Sequence, residues 1–299
     1  MKVLVTGGSG FLGKRLKLVE PKWMYLSSSE LDLTKKGGLY EYLKDNNIEA
    51  VINLAAKTGG IKDNVKNQSD FYYYNSIISK NVLRECYEAK ISRVLSCLST
   101  CCYPDVSDSY PMKEEQLLDG EPTETNYGYA LAKRELYRQT NFYRNFYNLN
   151  YSTFTPCNLY GPEANFDDDS SHFIASLIKK IYYAKNEENI ELYGSGKPTR
   201  QHLYIDDLAK IIPKLLYYHN SEIPINVAPK ENLSIKQISN IAIKKINKNL
   251  NVTFNNNLDG QIRKDVDNSK LLNLLGDISF TSLEDGIKLT YDWYVGSIK

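Results

Sequence analysis

A tyrosine and a lysine four residues apart carry the strongest chemical signal in this sequence. Tyr129 and Lys133 stand at the two ends of the segment Tyr-Ala-Leu-Ala-Lys. On a helix, a spacing of four places the phenol and the ammonium on one face, one turn apart. A phenol with its ordinary pKa of about 10 is a weak acid–base catalyst, and a nearby ammonium favours its ionised form. The pair therefore predicts a proton donor, Tyr129, that is tuned by Lys133.

A hydroxyl that could work with this pair follows an apolar run earlier in the chain. Ser99 comes directly after the predicted strand Arg93–Leu98 and opens the segment Ser-Thr-Cys-Cys-Tyr-Pro. In open α/β sheets, ligands lie beyond the carboxyl ends of the strands. We therefore expect Ser99 to hydrogen-bond a substrate carbonyl while Tyr129 gives the carbonyl oxygen a proton.

A glycine-rich loop near the start of the sequence predicts dinucleotide binding. It follows an apolar strand, opens a helix and has glycines at the spacing Gly-x-x-Gly-x-x-Gly. Without Cβ atoms the backbone can turn tightly and present N–H groups to a pyrophosphate at a helix N-terminus. The alternative is an ordinary glycine-rich turn, but the position after the first strand favours the dinucleotide. The residues of the loop are Gly7, Gly8, Ser9, Gly10, Phe11, Leu12 and Gly13.

The end of the second predicted strand bears on the choice between NADH and NADPH. A site for NAD usually presents an acid there to the ribose 2′-OH. Here the sequence reads Ser27-Ser28-Ser29-Glu30, with no acid directly at the strand end and no arginine for a 2′-phosphate. Serine hydroxyls can accommodate that phosphate, so NADPH is expected and NADH stays an alternative. Asp32 either contacts the adenine or caps a helix.

Segments of strand type and helix type alternate in the first half of the chain. Predicted strands are Lys2–Thr6, Trp23–Leu26, Ala50–Ala55, Arg93–Leu98 and Tyr151–Cys157. Predicted helices begin at Gly10 and cover Leu39–Asn46, Asp70–Glu88 and Tyr129–Tyr147. Short apolar runs separated by helices are typical of a parallel sheet that is buried on both faces. The expected fold class is therefore α/β, with a doubly wound, Rossmann-type sheet.

This alternation loosens after Asn158. A strand around Glu191–Arg200 enters a Gly/Pro turn. Later helices are predicted over His172–Tyr183, Asp206–Tyr218, Ser234–Ile246 and Leu283–Val295, the last two with Ser234 and Ser282 as caps. We expect residues 1–160 to form an NAD(P)-binding domain, with return segments near 201–228. Residues 161–299 would form a smaller α/β substrate lobe.

Composition excludes several classes of function. The 299 residues are 42% hydrophobic, enough for a sizeable core, and 37 basic against 36 acidic side chains give a net charge of +1. Such a chain is a poor partner for nucleic acid or an anionic membrane, and it has neither a membrane-span run nor a signal-peptide pattern. Five cysteines without Cys-x-x-Cys spacing suggest no disulfide framework and no metal site. A cytoplasmic enzyme is expected.

Longer segments of the chain resemble the extended short-chain dehydrogenase/reductases, and within them the GDP-L-fucose synthase branch. The glycine loop and the Tyr-x-x-x-Lys pair belong to the whole superfamily. Segments more specific to the branch are LAAKTGGI (Leu54–Ile61), NLYGPEANF with the following SHF, and GSGKPTRQ. The resemblance runs nearly from end to end.

This resemblance implies that a GDP-4-keto-6-deoxy sugar is inverted at C3 and C5 and then reduced at C4 by NADPH in one pocket. Tyr129 would protonate the C4 oxygen, Lys133 would bind the nicotinamide ribose, and Ser99 would polarise the carbonyl. Cys101 and His172 match the pair that performs the epimerisation. Implied cofactor contacts beyond the glycine loop are Ser28, Asp32, Leu33, Leu54, Ala55, Ala56, Lys133, Pro156, Asn158, Leu159 and His172. Implied substrate contacts are Lys180, Tyr193, Arg200 and Asp259.

The implied chemistry is self-consistent. A C4 ketone acidifies the protons on C3 and C5, so epimerisation needs a base on one face of the sugar and an acid on the other. A thiol and an imidazole both exchange protons near neutral pH. Arg200 can pair bidentately with a diphosphate. Taken alone, Cys101 has a buried packing residue as its alternative, and His172 has a helix cap.

Three other functions stay open at the level of sequence. A C4 reductase without epimerase activity, acting on a related GDP-sugar such as a heptose, would share every reductase motif. An epimerase or dehydratase of nucleotide sugars would keep its NAD and recycle it. A non-enzymatic NAD(P)-binding regulator would be expected to lose part of the Ser–Tyr–Lys set. The family also implies a homodimer through the helices Asp70–Glu88 and Tyr129–Tyr147, and a role in glycan or capsule synthesis.

Overall fold

The computed structural model describes residues 1–168, 170–256 and 259–298. Its strands are β1 (Val3–Thr6), β2 (Met24–Leu26), β3 (Ala50–Asn53), β4 (Arg93–Cys97), β5 (Asn150–Pro156), β6 (Asn158–Tyr160), β7 (Asn189–Leu192), β8 (Thr199–Arg200), β9 (His202–Tyr204), β10 (Ile225–Val227), β11 (Leu233–Ser234), β12 (Asn251–Phe254) and β13 (Arg263–Lys264). Its α-helices are α1 (Phe11–Val19), α2 (Gly38–Asp45), α3 (Ile61–Lys66), α4 (Gln68–Glu88), α5 (Tyr127–Tyr147), α6 (Phe173–Tyr183), α7 (Ile205–Tyr218), α8 (Ile235–Ile246), α9 (Ser269–Leu275) and α10 (Leu283–Ile298).

Six of the described strands form one parallel sheet in the order β10-β5-β4-β3-β1-β2. Every residue of β1 and β3 is buried, as expected for central strands that are covered by helices on both faces. The order reverses beside β1, which is the topological switch point where such sheets bind dinucleotides. The predicted doubly wound, Rossmann-type fold is confirmed.

The longer elements begin and end close to their predicted positions. Ser234 caps α8 through a reciprocal pair of hydrogen bonds with Gln237, and Ser282 accepts the backbone N–H of Asp285 at the start of α10. The strand expected around Glu191–Arg200 is split, because β7 ends at Leu192 and the chain turns through Gly194 and Gly196 before β8. Two-residue strands such as β13 have no periodicity, so the sequence did not predict them.

Two hydrophobic cores support two lobes. The main core lies around the parallel sheet, and it includes α7 and β10 from the second half of the chain. The second core is built from α6, α8 and α10 with residues of β7. The chain thus crosses between the lobes more than once. The domain boundary at residue 160 stays a prediction, and these two cores are its support.

Three general findings apply to the described residues. No described helix has both the length and the apolar character needed to cross a membrane. Within the same residues, no cluster of three or more His, Cys, Asp or Glu side chains is arranged to hold a metal ion. All five cysteines are free thiols.

Candidate active site

The glycine loop makes a close turn between β1 and α1. Gly7 has a φ of +70°, and a Cβ at this position would stand 2.9 Å from the backbone nitrogen of Ala55. A Cβ at Gly13 would stand 2.4 Å from the carbonyl oxygen of Gly7. Backbone packing therefore excludes side chains at both positions. The loop has the close approach that the dinucleotide interpretation needs.

The N-terminus of α1 is open to an anion. Gly10 is the N-cap, no side chain caps the helix, and its first turn holds no acidic residue. The first N–H groups of a helix need external partners, and their positive partial charge favours a phosphate. The loop from Gly7 to Gly13 therefore fits the pyrophosphate of a dinucleotide.

An acid does reach the end of β2, contrary to the expectation from sequence. The carboxylate of Glu30 folds back and accepts the backbone N–H of Ser27 at 2.8 Å and its hydroxyl at 2.6 Å. These hydrogen bonds lower the pKa of Glu30, so the carboxylate is ionised. Ser28 stays exposed at the tip of the same turn. A negative charge therefore lies at the end of β2, the place where a NAD site usually presents an acid to the ribose. The sequence did not predict this charge because Glu30 stands three residues beyond Ser27.

Two neighbouring residues have local roles. Asp32 accepts the backbone N–H of Thr34 at 3.0 Å and its hydroxyl at 2.6 Å, whereas Gly37 is the N-cap of α2. The alternative of Asp32 as the cap of that helix is therefore wrong. Leu33 packs into the main core, so its side chain does not line an open surface. A cofactor contact for either residue stays a prediction.

The other predicted cofactor residues lie at the same edge of the sheet. Leu54, Ala55 and Ala56 follow β3 directly opposite the glycine loop, Pro156 ends β5, and Asn158 and Leu159 begin β6. Asn158 donates its side-chain amide to the carbonyl of Gln201 at 3.2 Å, which joins this edge to the β8–β9 region. Because the carboxyl ends of parallel strands share one edge, these residues lie at the edge where such sheets bind ligands.

Tyr129 and Lys133 lie one turn apart at the start of α5. Lys133 is buried, and its ammonium donates to the carbonyl of Cys97 at 2.8 Å while it lies 5.9 Å from the centre of the Tyr129 ring. This carbonyl belongs to the last residue of β4. The helix face and the strand end therefore hold the phenol, the ammonium and the following Ser99 in one place.

The pKa of Tyr129 is shifted in the direction opposite to the one expected from Lys133. Burial raises the pKa well above its ordinary value, the thiols of Cys101, Cys97 and Cys102 add to this, and hydrogen bonding with Ser99 opposes it. The phenol therefore keeps its proton at neutral pH. A protonated phenol in this position is suited to donate a proton.

Cys101 lies two residues beyond Ser99, in the short 3-10 helix Thr100–Cys102. Its backbone N–H donates to the Ser99 hydroxyl at 3.2 Å, and the ammonium of Lys264 donates to its sulfur at 3.2 Å. Burial disfavours its thiolate, but Lys264, Ser99 and Arg200 outweigh that effect and lower the pKa of the thiol. Burial raises the pKa of the adjacent Cys102 to about 12. Of the two neighbours, only Cys101 is suited to act as a base.

His172 is the N-cap residue of α6, but its side chain makes no capping hydrogen bond. The residue as a whole is exposed to solvent. Desolvation by the surrounding protein and the positive charge of Lys264 lower the pKa of the imidazole. The preceding loop packs on Gly60, whose N–H donates to the carbonyl of Ser170 at 3.1 Å. His172 is therefore held at the N-terminus of α6 with a ring that is free to face a ligand.

The predicted substrate residues form a group around β7 and β8. Lys180 donates to the carbonyl of Glu191 at 2.5 Å, and Tyr193 is 43% exposed. Asp259 accepts the N–H of Ser195 at 2.8 Å and its hydroxyl at 2.6 Å, which fixes the turn after β7. Arg200 is close enough to Cys101 and Asp259 for their charges to act on it: desolvation lowers its pKa, and these charges oppose that shift. Of the four predicted substrate residues, Arg200 is therefore the one that the structure links to Cys101.

Lys264, which contacts Cys101, was not predicted from the sequence. In the pairing of β13 with β8, Lys264 lies beside Arg200. Lys264 stands in an irregular polar segment, and no motif or spacing distinguishes it from the other lysines of the chain. Only the pairing of two short, distant strands brings it to the cleft.

Comparison with known proteins agrees with this geometry. The model of the NAD dependent epimerase/dehydratase family matches residues 3–228. The chain belongs to this family. Within the family it belongs to the GDP-L-fucose synthase branch, since it is 34% identical to a probable GDP-L-fucose synthase of Drosophila melanogaster over 98% of this chain and 97% of that protein. The resemblance seen in the sequence is confirmed.

Solved structures give the same result. A GDP-L-fucose synthetase of Naegleria fowleri bound to NADP has a TM-score of 0.89 and 32% identity, covering 99% of this chain and 93% of that one. A GDP-6-OMe-4-keto-L-xylo-heptose reductase of C. jejuni also has a TM-score of 0.89, covering 99% of this chain and 98% of that one. Its identity is 23%, so that likeness shows the fold alone.

Proposed function

We propose that this chain reduces the C4 carbonyl of a GDP-4-keto-6-deoxy sugar with NADPH, and that the same cleft epimerises C3 and C5. One observation carries the proposal: Cys101, with a lowered thiol pKa, lies beside Ser99 and Tyr129 at the end of β4. Membership of the GDP-L-fucose synthase branch supports the substrate class.

NADPH fits the residues of the glycine loop. When bound, the reduced nicotinamide supplies the hydride. The uncapped N-terminus of α1 would hold the pyrophosphate, and Lys133 would bind the nicotinamide ribose. The related Naegleria protein is bound to NADP, which supports this cofactor. Glu30 at the end of β2 opposes the extra phosphate, so we propose that NADH is also accepted.

The chain's own residues would provide the protons for reduction. Tyr129 gives its phenolic proton to the C4 oxygen, because its raised pKa keeps that proton in place until charge develops on the oxygen. Ser99 donates a hydrogen bond to the same oxygen and so polarises the carbonyl. Lys133 is fixed by the Cys97 carbonyl and keeps its position during the reaction.

Epimerisation would use the other side chains of the cleft. The Cys101 sulfur takes the proton from C3 or C5, and the electron pair of the broken C–H bond moves to the C4 oxygen. Ser99 and Tyr129 stabilise the charge there by hydrogen bonds. His172, which faces solvent, returns a proton to the opposite face of the carbon. Arg200, Lys180, Tyr193 and Asp259 are the proposed contacts for the GDP moiety.

The test is turnover of GDP-4-keto-6-deoxymannose by the full chain with NADPH in heavy water, followed by NMR of the product. Consumption of NADPH together with deuterium at C3 and C5 supports both activities. Full consumption of NADPH without deuterium at C3 and C5 would indicate a C4 reductase that has no epimerase activity, which is the alternative that acts on related GDP-sugars such as heptoses. Conversion of the sugar without NADPH consumption indicates an enzyme that recycles its NAD, and contradicts the proposal.

We also propose a homodimer through α4 and α5. These helices pack on each other and leave aromatic side chains exposed, among them Tyr73 at 58% and Phe146 at 79%. An open groove of about 550 Å³ lies at their N-terminal ends, lined by Tyr72, Tyr127 and Leu131 among others. Analytical ultracentrifugation should give a mass twice that of one chain. Phe146→Lys should shift the measured mass towards that of the monomer. A monomer at micromolar concentration contradicts this arrangement.

A cytoplasmic location and a role in glycan or capsule synthesis complete the proposal. All five thiols are unpaired, which supports a reducing compartment. A reduced GDP-deoxysugar is chemically a donor for glycosyl transfer. Cell fractionation tests the first point, and loss of the deoxysugar from surface glycan in a deletion strain tests the second.

A further inference from the structure

The ammonium of Lys264 is buried against the sulfur of Cys101. The residue is 9% exposed, and the distance from Nζ to Sγ is 3.2 Å. No carboxylate within the described residues lies at ion-pair distance from this ammonium, and the nearest acid along the strand, Asp265, is paired with Arg263 at 2.7 Å. A buried charge without a counterion is costly. An anion beside the Lys264 ammonium would therefore stabilise it.

Arg200 is a second cation close to the same sulfur, and it too is stabilised by a nearby anion. The pairing of β13 with β8 places Lys264 beside Arg200, and both side chains act on Cys101. Two neighbouring cations repel each other unless a negative charge lies between them. The carboxylates of Asp259 and Asp105 also act on Arg200, whereas beside Lys264 the atom of the described residues that can carry this charge is the sulfur of Cys101. The diphosphate of the substrate is the other candidate.

The backbone around Lys264 is fixed from both lobes. Gln261 donates its side-chain amide to the carbonyls of Pro104 and Asp105, both at 2.9 Å, directly after the segment that carries Cys101. The side chain of Gln201 accepts the N–H of Val266 and donates to its carbonyl. These anchors are buried, and they hold the backbone from which the Lys264 side chain reaches the thiol.

Other groups that face Cys101 do not replace Lys264. Arg200 acts from β8, whereas Tyr129 and Cys102 are protonated groups whose ionisation Cys101 opposes. Lys264 also acts on His172, where its charge disfavours the imidazolium. An imidazolium that is destabilised in this way is the stronger acid. The same ammonium therefore stabilises the thiolate and, although it leaves less of the ring protonated at neutral pH, makes the imidazolium a readier proton donor.

We propose that Lys264 is a positioning residue for epimerisation: it holds Cys101 as a thiolate and so assigns the base role to the sulfur and the acid role to His172. The proposal rests on the proposed function for the reaction that the thiolate serves. The proton that leaves C3 or C5 forms the S–H bond, and the electron pair of the C–H bond moves to the C4 oxygen. His172 supplies the proton that re-forms the C–H bond on the opposite face and regains one from water.

The experiment measures alkylation of Cys101 by iodoacetamide in the full chain as a function of pH, with peptide mass spectrometry to identify the modified residue. Only the thiolate reacts, so the midpoint of the profile reports the ionisation of this thiol. Lys264→Met should move the midpoint up by about one pH unit, which lowers alkylation below that midpoint roughly tenfold. Lys264→Arg should restore most of the reactivity. Lys236→Met, which removes an exposed lysine of the same lobe, should leave the profile unchanged.

An unchanged profile in Lys264→Met, with a melting temperature close to that of the parent chain, overturns the proposal. Weaker substrate binding with the same profile assigns Lys264 to the diphosphate alone and also overturns it. If Lys264→Met melts early, the Lys264→Arg profile decides: a midpoint near that of the parent chain supports the proposal. The assay needs no substrate, so its outcome is separate from the heavy-water test of the proposed function.

Discussion

Two sets of side chains share the cleft but are assembled in different ways. The reducing set (Ser99, Tyr129 and Lys133) comes from the segment just after β4 and from α5, the next α-helix along the chain. The proton-exchange set (Cys101, His172 and Lys264) joins the end of β4 to the start of α6 and to β13, with Lys264 163 residues from Cys101. Helix spacing fixes the first set, whereas long-range packing fixes the second. Remote substitutions should therefore impair proton exchange and leave reduction intact.

The largest effect is expected for Tyr129→Phe. Loss of a positioned general acid typically costs about 10²- to 10⁴-fold, so NADPH consumption should fall by that factor. Deuterium should still enter C3 and C5 of the unreacted sugar in heavy water with NADP⁺ in place of NADPH, with a smaller loss of rate than in reduction, because Cys101 and His172 are unchanged and Ser99 still stabilises the C4 oxygen. Leu131→Met, two residues along α5, serves as the control. Reduction at the parent rate would remove Tyr129 from the mechanism.

A substitution outside both sets of side chains should have an effect of intermediate size, and it tests whether proton exchange and reduction can be impaired separately. A Cβ at Gly60 would stand 2.8 Å from the carbonyl oxygen of Ser171, directly before His172. Gly60→Ala should displace this loop and lower deuterium entry into the sugar roughly tenfold, since small misplacements of catalytic groups are costly.

NADPH consumption on the already epimerised keto sugar should stay close to the parent rate, because Ser99, Tyr129 and Lys133 are unchanged. Gly296→Ala, where a Cβ meets nothing within 4 Å, is the matched control. Equal losses in exchange and reduction after Gly60→Ala would show that the two sets are not separable.

The smallest effect is expected at the cofactor. Glu30→Gln removes the charge that folds back on Ser27 at the end of β2. The affinity for NADPH should rise severalfold relative to NADH, by roughly the effect of one exposed charge at close range. Fluorescence titration of both cofactors measures the ratio, and Glu49→Gln is a control at another exposed carboxylate. An unchanged ratio would place the 2′-phosphate elsewhere.

Much of the reducing set could be predicted because its signals are local. Four-residue spacing places Tyr129 and Lys133 on one helix face, and an apolar run that ends at Ser99 marks a strand end. Glu30 escaped prediction because a tight turn returns its carboxylate to Ser27. Lys264 escaped because a two-residue strand has no period and its partner, β8, lies far away in sequence.

The pKa of Tyr129 also could not be predicted from Lys133 alone. Burial and three surrounding thiols raise it, and burial depends on the whole fold. The same limit applies to Cys101, whose thiolate depends on Lys264 and Arg200. Sequence spacing identifies which groups are near each other within an element. The charges that tune them come from other elements.

The most direct measurement of the central claim is Cys101→Ser, assayed for both reactions with GDP-4-keto-6-deoxymannose in heavy water. The account predicts that deuterium no longer enters C3 and C5, while NADPH still reduces C4 and the product keeps the configuration of the substrate. Cys97→Ser, a change at the neighbouring partly exposed thiol, should behave like the parent chain in both assays. Deuterium entry at the parent rate in Cys101→Ser would contradict the account.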